Sequence, residues 1–198
     1  MRDDMSRQGI LLAATVALLG SVRSAPAQTE IELRAATTEY HFADLSYTHS
    51  SGLVLDAVYI GLPGVDQLFL GAGYEFDPAP GTCLIPILYG VSGSDTRGVT
   101  LGGLVSLDGA RWHFEGFFGH FFRTDGDVPD YTFVDTLDLT RAIGRWEVGV
   151  SADAFAIEGE VGWLAGPTLK RHDGLGAWAL SARFGDEQEL RLTRKFDF

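Results

Sequence analysis

Apolar positions recur at every second residue along most of this chain. Trp112, Phe114, Gly116, Phe118 and Phe122 share one parity with His120, while Arg111, His113, Glu115, Phe117 and Arg123 share the other. Side chains of a β-strand point alternately to its two faces, so the pattern predicts a strand with one greasy and one mixed face. Trp146, Val148, Val150, Ala152 and Ala154 repeat it against Glu147, Gly149, Ser151 and Asp153. Val161, Trp163, Ala165 and Pro167 form a further row, and Trp178, Leu180, Ala182 and Phe184 form one against Arg183. At the end, Leu190, Leu192, Phe196 and Phe198 alternate with Glu189, Arg191, Thr193, Lys195 and Asp197, and Arg194 interrupts the apolar row.

Turn signals separate these rows. Asp108-Gly109 marks a hairpin before Trp112, and Gly144 and the run Gly185-Asp186-Glu187 mark two more. Residues 124–130 read as a longer polar loop and residues 170–174 as a connection. Upstream, Leu68, Leu70, Ala72, Tyr74 and Phe76 form one row, and Cys83, Ile85, Ile87, Tyr89 and Val91 another. The strand from 131 to 141, which holds Asp138, carries Asp135 in its apolar row, so Asp135 is expected near the water boundary or at a bulge. Pro167 lacks a ladder donor and is expected near a strand end or bulge. Residues 30–50 are too long for one strand and predict two. The total is about ten to twelve strands of about ten residues each, the length that a tilted strand needs to cross a bilayer.

This reading is all-β: an antiparallel up-and-down transmembrane β-barrel over residues 28–198, with twelve strands favoured and eight or ten also compatible. A closed sheet pairs its own backbone donors and acceptors, so half of its side chains suffice to face lipid and no long apolar run is needed. Period-2 alternation also fits a soluble two-sheet sandwich, which stays open as the alternative fold.

Residues 1–27 read differently. Arg2 and Arg7 precede an apolar run from 10 to 19, and Ala25-Pro26-Ala27 places small residues around a cleavage position. That layout predicts a secretory signal peptide, with Asp3 and Asp4 as unusual members and Met5 as an alternative start. The run is shorter than the roughly 20 residues of a membrane helix.

A formal charge of -12 argues against nucleic acid and against a polybasic membrane-surface binder. Cys83 is the single cysteine, which excludes an intramolecular disulfide and a cysteine-based zinc site, and it is expected on an apolar face beside Ile85 and Ile87. No cofactor or metal motif occurs, although Asp125, Asp127 and Asp130 share one loop.

The alternating final strand that ends on Phe196 and Phe198 resembles the C-terminal signal of bacterial outer-membrane β-barrels. The resemblance implies outer-membrane lipid and the barrel-assembly machinery as partners and the bacterial outer membrane as location. It leaves the oligomeric state unspecified. Within it, Trp112, Phe114, Phe118, Trp146, Trp163 and Trp178 are expected to face lipid. Arg111, His113, Glu115, Asp138, Glu147, Asp153, Arg183, Arg191 and Lys195 are expected to face the lumen. Those charges either satisfy one another in a filled barrel or line a narrow pore.

His49 and Ser51, two residues apart, could share a strand face, and a His-x-Ser pair can activate a serine if a third group orients the imidazole. The pair resembles part of the His-x-Ser-Asn motif of outer-membrane phospholipase A and of lipid A deacylase barrels, with Gly52 where the Asn would stand. Asp44 and Asp56 are the local acids. Three functions follow: a porin-like channel or structural envelope protein, which is the favoured reading; an outer-membrane lipid hydrolase at His49/Ser51; and a soluble periplasmic ligand-binding sandwich.

Overall fold

The computed structural model describes residues 28–198, and the expected leader, residues 1–27, lies outside them. The described chain is strand and turn throughout: β1 (Gln28–Ala36), β2 (His41–Thr48), β3 (Leu53–Leu62), β4 (Val65–Tyr74), β5 (Phe76–Ala79), β6 (Thr82–Gly93) and β7 (Thr96–Asp108). It continues with β8 (Trp112–Gly126), β9 (Tyr131–Ile143), β10 (Trp146–Ile157), β11 (Glu160–Asp173), β12 (Gly176–Gly185) and β13 (Gln188–Asp197). Neighbouring strands pair antiparallel, β1 pairs β13, and β4 pairs β6, so the sheet closes on itself. The short β5 continues β4 past Glu75 and pairs the same neighbour, β6. The ring therefore has twelve staves. Residues 30–50 do split into two strands, joined by a turn in which Glu39 takes a positive φ of 61°.

Closure leaves no free sheet edge, so every stave has a backbone partner on both sides. It also turns the two parities into an outside and an inside. Trp112 is 52% exposed and Phe118 39%, and neither faces a second sheet; the two-sheet sandwich is not formed. Large apolar side chains stand exposed on the outer face of stave after stave, among them Leu45, Leu68, Leu101, Val150, Trp163 and Leu192. A soluble monomer rarely exposes so continuous a band.

The strands run further than the turn signals predict. β8 continues through Gly126, so the loop expected from Thr124 shrinks to residues 127–130, and β11 continues through Asp173, so most of the connection expected at 170–174 is strand. Pro167 is neither at an end nor at a bulge. It pairs Val150 on the β10 side, while the β11–β12 pairs step from Ala165↔Phe184 to Thr168↔Ser181 and omit Gly166 and Pro167. A missing donor is thus accommodated by a gap in one ladder.

Asp135 does sit at a bulge. The β8–β9 register shifts between Glu115 and Phe117, and Thr136 beside Asp135 adopts φ 55°. The extra residue exchanges faces, so Asp135 and Asp138 both point inward although their numbers differ in parity.

Candidate functional site: the barrel lumen

Inward parity gives the lumen two unlike walls. One is ionic. Glu30, Glu32 and Arg34 project from β1, Glu115 from β8, Asp135 and Asp138 from β9, Asp153 from β10, Lys170 from β11, Arg183 from β12, and Glu189, Arg191 and Lys195 from β13. The other wall is aromatic and aliphatic. Phe69, Ile87, Tyr89, Val91, Phe121 and Tyr131 form a buried cluster, with Val58, Ile60, Ile85, Phe117 and Phe133 packed against it. The row Cys83, Ile85, Ile87, Tyr89 and Val91 therefore lines the interior, while Leu84, Pro86 and Leu88 take the outer face.

An aromatic wall would fill a narrow barrel if its rings stood upright. Tyr89, Phe117, Phe121 and Phe133 lie down instead, each over a glycine of the neighbouring strand. A Cβ built on Gly71 would stand 2.4 Å from a ring carbon of Tyr89, and the same distance separates Gly102 from Phe117 and Gly119 from Phe133. The absent side chains let the rings press against the wall. A cavity of about 470 Å³ remains, reaching the rim where Tyr40, Leu62, Asp186 and Glu187 lie. This is called the upper rim here, opposite the rim that carries Gln28 and Phe198.

The ionic wall does not stay on its own side. Arg34 Nη1 reaches Asp135 Oδ2 at 2.6 Å, across strands 101 residues apart in sequence. Lys195 Nζ lies 3.2 Å from Glu115 Oε1 and 3.0 Å from Glu30 Oε1. Arg183 binds Asp153 at 2.5 Å and also pairs with Glu189, and Arg191 joins both acids at 2.9 and 3.0 Å. β1 and β13 stand five staves from β9 and β8 respectively, nearly opposite in a ring of twelve, so these pairs span the lumen. Beyond the bridge a smaller pocket of about 40 Å³ is lined by Asp138, Ser151, Lys170 and Ser181. Arg183 is wholly buried, and charges at such depth persist because they are paired. Above the bridge, burial pushes the phenol of Tyr40, in the β1–β2 turn, well above its usual range, and the Arg191 guanidinium lies 4.6 Å from its ring centre.

Of the residues expected to face the lumen, His113, Glu115, Asp138, Glu147, Asp153, Arg183, Arg191 and Lys195 point inward. Arg111 does not: it is exposed in the β7–β8 turn, one residue before the strand begins. His113 sits at the lower end between Asp108, at 2.7 Å, and Glu115, at 3.3 Å. Trp112, Phe114, Phe118, Trp146, Trp163 and Trp178 all project outward. Three of them meet an arginine directly across the next strand: Arg141 lies 5.8 Å from the Trp112 ring, Arg171 5.5 Å from Trp146, and Arg194 5.0 Å from Trp178. Arg194, which interrupts the last apolar row, is nearly buried there and pairs Asp173 at 3.0 Å.

His49 Nδ1 and Ser51 Oγ do approach, to 2.8 Å. They meet in an exposed turn between β2 and β3, where the Ser51 amide also donates to His49 Nδ1. Among the described residues no acid orients the other imidazole nitrogen, and Asp44 and Asp56 point into the lumen. The pair lacks the third member that would make it a nucleophile. Glu75, Asp77 and Cys83 bring donor atoms within 4.8 Å of one another, a grouping that the parity of Cys83 alone did not foretell.

Glu32, Arg34, Asp44, Asp56 and Asp135 were not among the residues expected from the sequence to face the lumen. For the first two the signal was present: Ile31, Leu33 and Ala35 take the outer face, which leaves Glu32 and Arg34 inside. The contact partners carry no local signal, because the strands that meet across the lumen are distant in sequence.

No family model matches the chain, and no curated protein matches its sequence. Solved structures do match. The KdgM porin superposes with a TM-score of 0.64 at 12% identity, covering 85% of this chain and 99% of that one. The KdgM porin in complex with disordered oligogalacturonate gives 0.63 at 11%, covering 86% and 99%. The NanC porin, in a rhombohedral crystal form, gives 0.63 at 9%, covering 85% and 98%. At such identities the likeness is one of fold, and it extends over the full length of those porins.

Proposed function

We propose that this outer-membrane β-barrel is a narrow porin-like channel for small solutes. The observation that carries the reading is the cavity of about 470 Å³ inside a closed ring of twelve staves. Volumes of that order hold small-molecule ligands. The outward apolar rows contact lipid on this reading, and the Trp112–Arg141, Trp146–Arg171 and Trp178–Arg194 pairs lie where hydrocarbon meets headgroups. The barrel-assembly machinery would insert the chain, reading Phe196 and Phe198, which stack on the outer face of β13 beside its seam with β1.

The solved porin complex with oligogalacturonate concerns an acidic saccharide. This lumen argues for another solute. Nine carboxylate side chains line the cavity, against the two basic side chains Arg34 and Lys195. A polyanion would meet like charge along most of that surface.

A second reading, a purely structural barrel, is favoured by the ion-pair bridge across the lumen. Conductance in planar bilayers separates the two. A channel gives discrete small steps from the folded wild type, and Arg34→Ala combined with Asp135→Ala, which removes one span of the bridge and leaves Glu32 to Lys195 and Arg191 to Asp153 and Glu189, gives larger ones. Folded protein that conducts in neither form is the structural barrel.

A further inference from the structure

We propose that the lumen holds a binding site for an organic ammonium ion with an apolar body, its cationic group on Asp44 and Asp56 and its body on the aromatic wall. The inference rests on the lumen being the solute path and names the class of solute.

Asp44 of β2 and Asp56 of β3 occupy diagonal inward positions of adjacent strands, opposite Val58 and Ser46 respectively. Asp56 accepts a hydrogen bond from the Tyr89 hydroxyl. Each carboxyl group keeps one oxygen, Oδ1, that is buried and has no hydrogen-bond partner among the described residues. Neither carboxyl belongs to the ion-pair bridge, whose acids are Glu30, Glu32, Glu115, Asp135, Asp153 and Glu189. A buried acceptor left unmatched is costly, and two adjacent carboxylates repel. A cation bearing several N–H donors between them relieves both costs. A proton held between the two can relieve the repulsion but leaves the Oδ1 atoms unmatched.

The neighbouring wall suits the rest of such a ligand. Because Tyr89, Phe117 and Phe133 lie over Gly71, Gly102 and Gly119, they turn ring faces toward the lumen. The face of an aromatic ring is its negative side and attracts cations, and it is also apolar surface for a hydrocarbon body. Arg34 already uses this chemistry in the same cavity, with its guanidinium carbon 3.9 Å from the centre of the Phe42 ring. The approach is matched as well. Glu39, Asp95, Asp127, Glu158, Asp186 and Glu187 stand exposed around the upper rim, where the exposed arginines are Arg97 and Arg123. An acidic mouth raises the local concentration of cations and repels anions.

The test is isothermal titration of the folded, full-length barrel in neutral detergent with three probes of one shape: 2-phenylethylammonium, 2-phenylethanol and phenylacetate. The ammonium is expected to bind at least tenfold more tightly than the alcohol, and the carboxylate more weakly than either. Asp44→Asn combined with Asp56→Asn is expected to bring the ammonium down to the alcohol's affinity. Tyr89→Phe, which keeps the ring, is expected to retain the preference for the ammonium. Equal affinities of ammonium and alcohol in the wild type overturn the proposal, and this comparison does not require the variants to fold. Unchanged ammonium binding in the double Asn variant, with its folded gel mobility intact, overturns it too. Binding is measured without flux, so a barrel that conducts but ignores the ammonium refutes this site alone. One that binds it but never conducts refutes the channel.

Discussion

Arg183 shows what a single ionised side chain does inside this barrel. It is wholly buried and touches Asp153 and Glu189, and both acids also contact Arg191. Thr38 completes the set by donating to the second oxygen of Glu189 at 2.8 Å. Arg183→Met removes the cation and leaves two buried carboxylates sharing one arginine. Deleting one partner of a buried pair costs about 3–5 kcal/mol, so the variant should unfold at clearly lower urea, read as loss of the fast-migrating folded band on a gel. Arg183→Lys should recover part of that loss, since a single ammonium cannot reproduce the forked contacts of a guanidinium. A variant as resistant as the wild type would mean that the network is solvated rather than buried.

At the scale of the element, β9 departs furthest from a regular strand. Its bulge holds Thr136 at φ 55° and leaves the Thr136 hydroxyl buried without a partner among the described residues. The bulge is nevertheless what turns Asp135 toward Arg34, and the Thr136 amide is anchored on Asp153 Oδ1 at 3.0 Å. Left-handed backbone costs a residue with a Cβ about 1–2 kcal/mol, and the orphaned hydroxyl adds about 1–3 kcal/mol. Glycine gives back about 0.5–1 kcal/mol as chain entropy. Thr136→Gly is therefore expected to stabilise the barrel by about 1 kcal/mol or more, with a higher midpoint in urea unfolding and an unchanged bridge. Lower stability would show that the threonine is held by something other than its backbone.

For the whole molecule, the distribution of charge is decisive. The upper rim is acidic, whereas near the lower rim the exposed Arg111, Arg141, Arg145 and Arg171 are balanced by the exposed Asp77, Asp108, Asp173 and Asp197. Nine carboxylates line the cavity between them. If the barrel conducts, the reversal potential across a potassium chloride gradient should show cation preference at low salt. Screening shortens the reach of these charges from about 10 Å at 0.1 M to about 3 Å at 1 M, so the preference should weaken as salt rises. Anion preference would contradict the reading of the lumen.

Much of this architecture was readable along the chain. Alternation foretold the strands, the splitting of residues 30–50 and the outward placement of all four tryptophans. The misplaced Asp135 foretold the bulge. What escaped were the ends of β8 and β11, because polar residues at a barrel rim look the same in a strand as in a loop. The apolar row of β6 escaped for a different reason: Cys83, Ile85, Ile87, Tyr89 and Val91 stand back to back with Leu84, Pro86 and Leu88, and two apolar parities do not say which one is inside.

The sequence by itself determined how each strand divides its side chains between two faces, since that division follows from the pleat alone. The tertiary structure decided which face became the interior and which distant charges met there. Ring closure sets β1 against β9 and β13 against β8, and no local pattern records a contact between residues 101 or 80 positions apart. It also decided that the interior stays partly hollow, because rings can lie flat only where the adjoining strand happens to present a glycine.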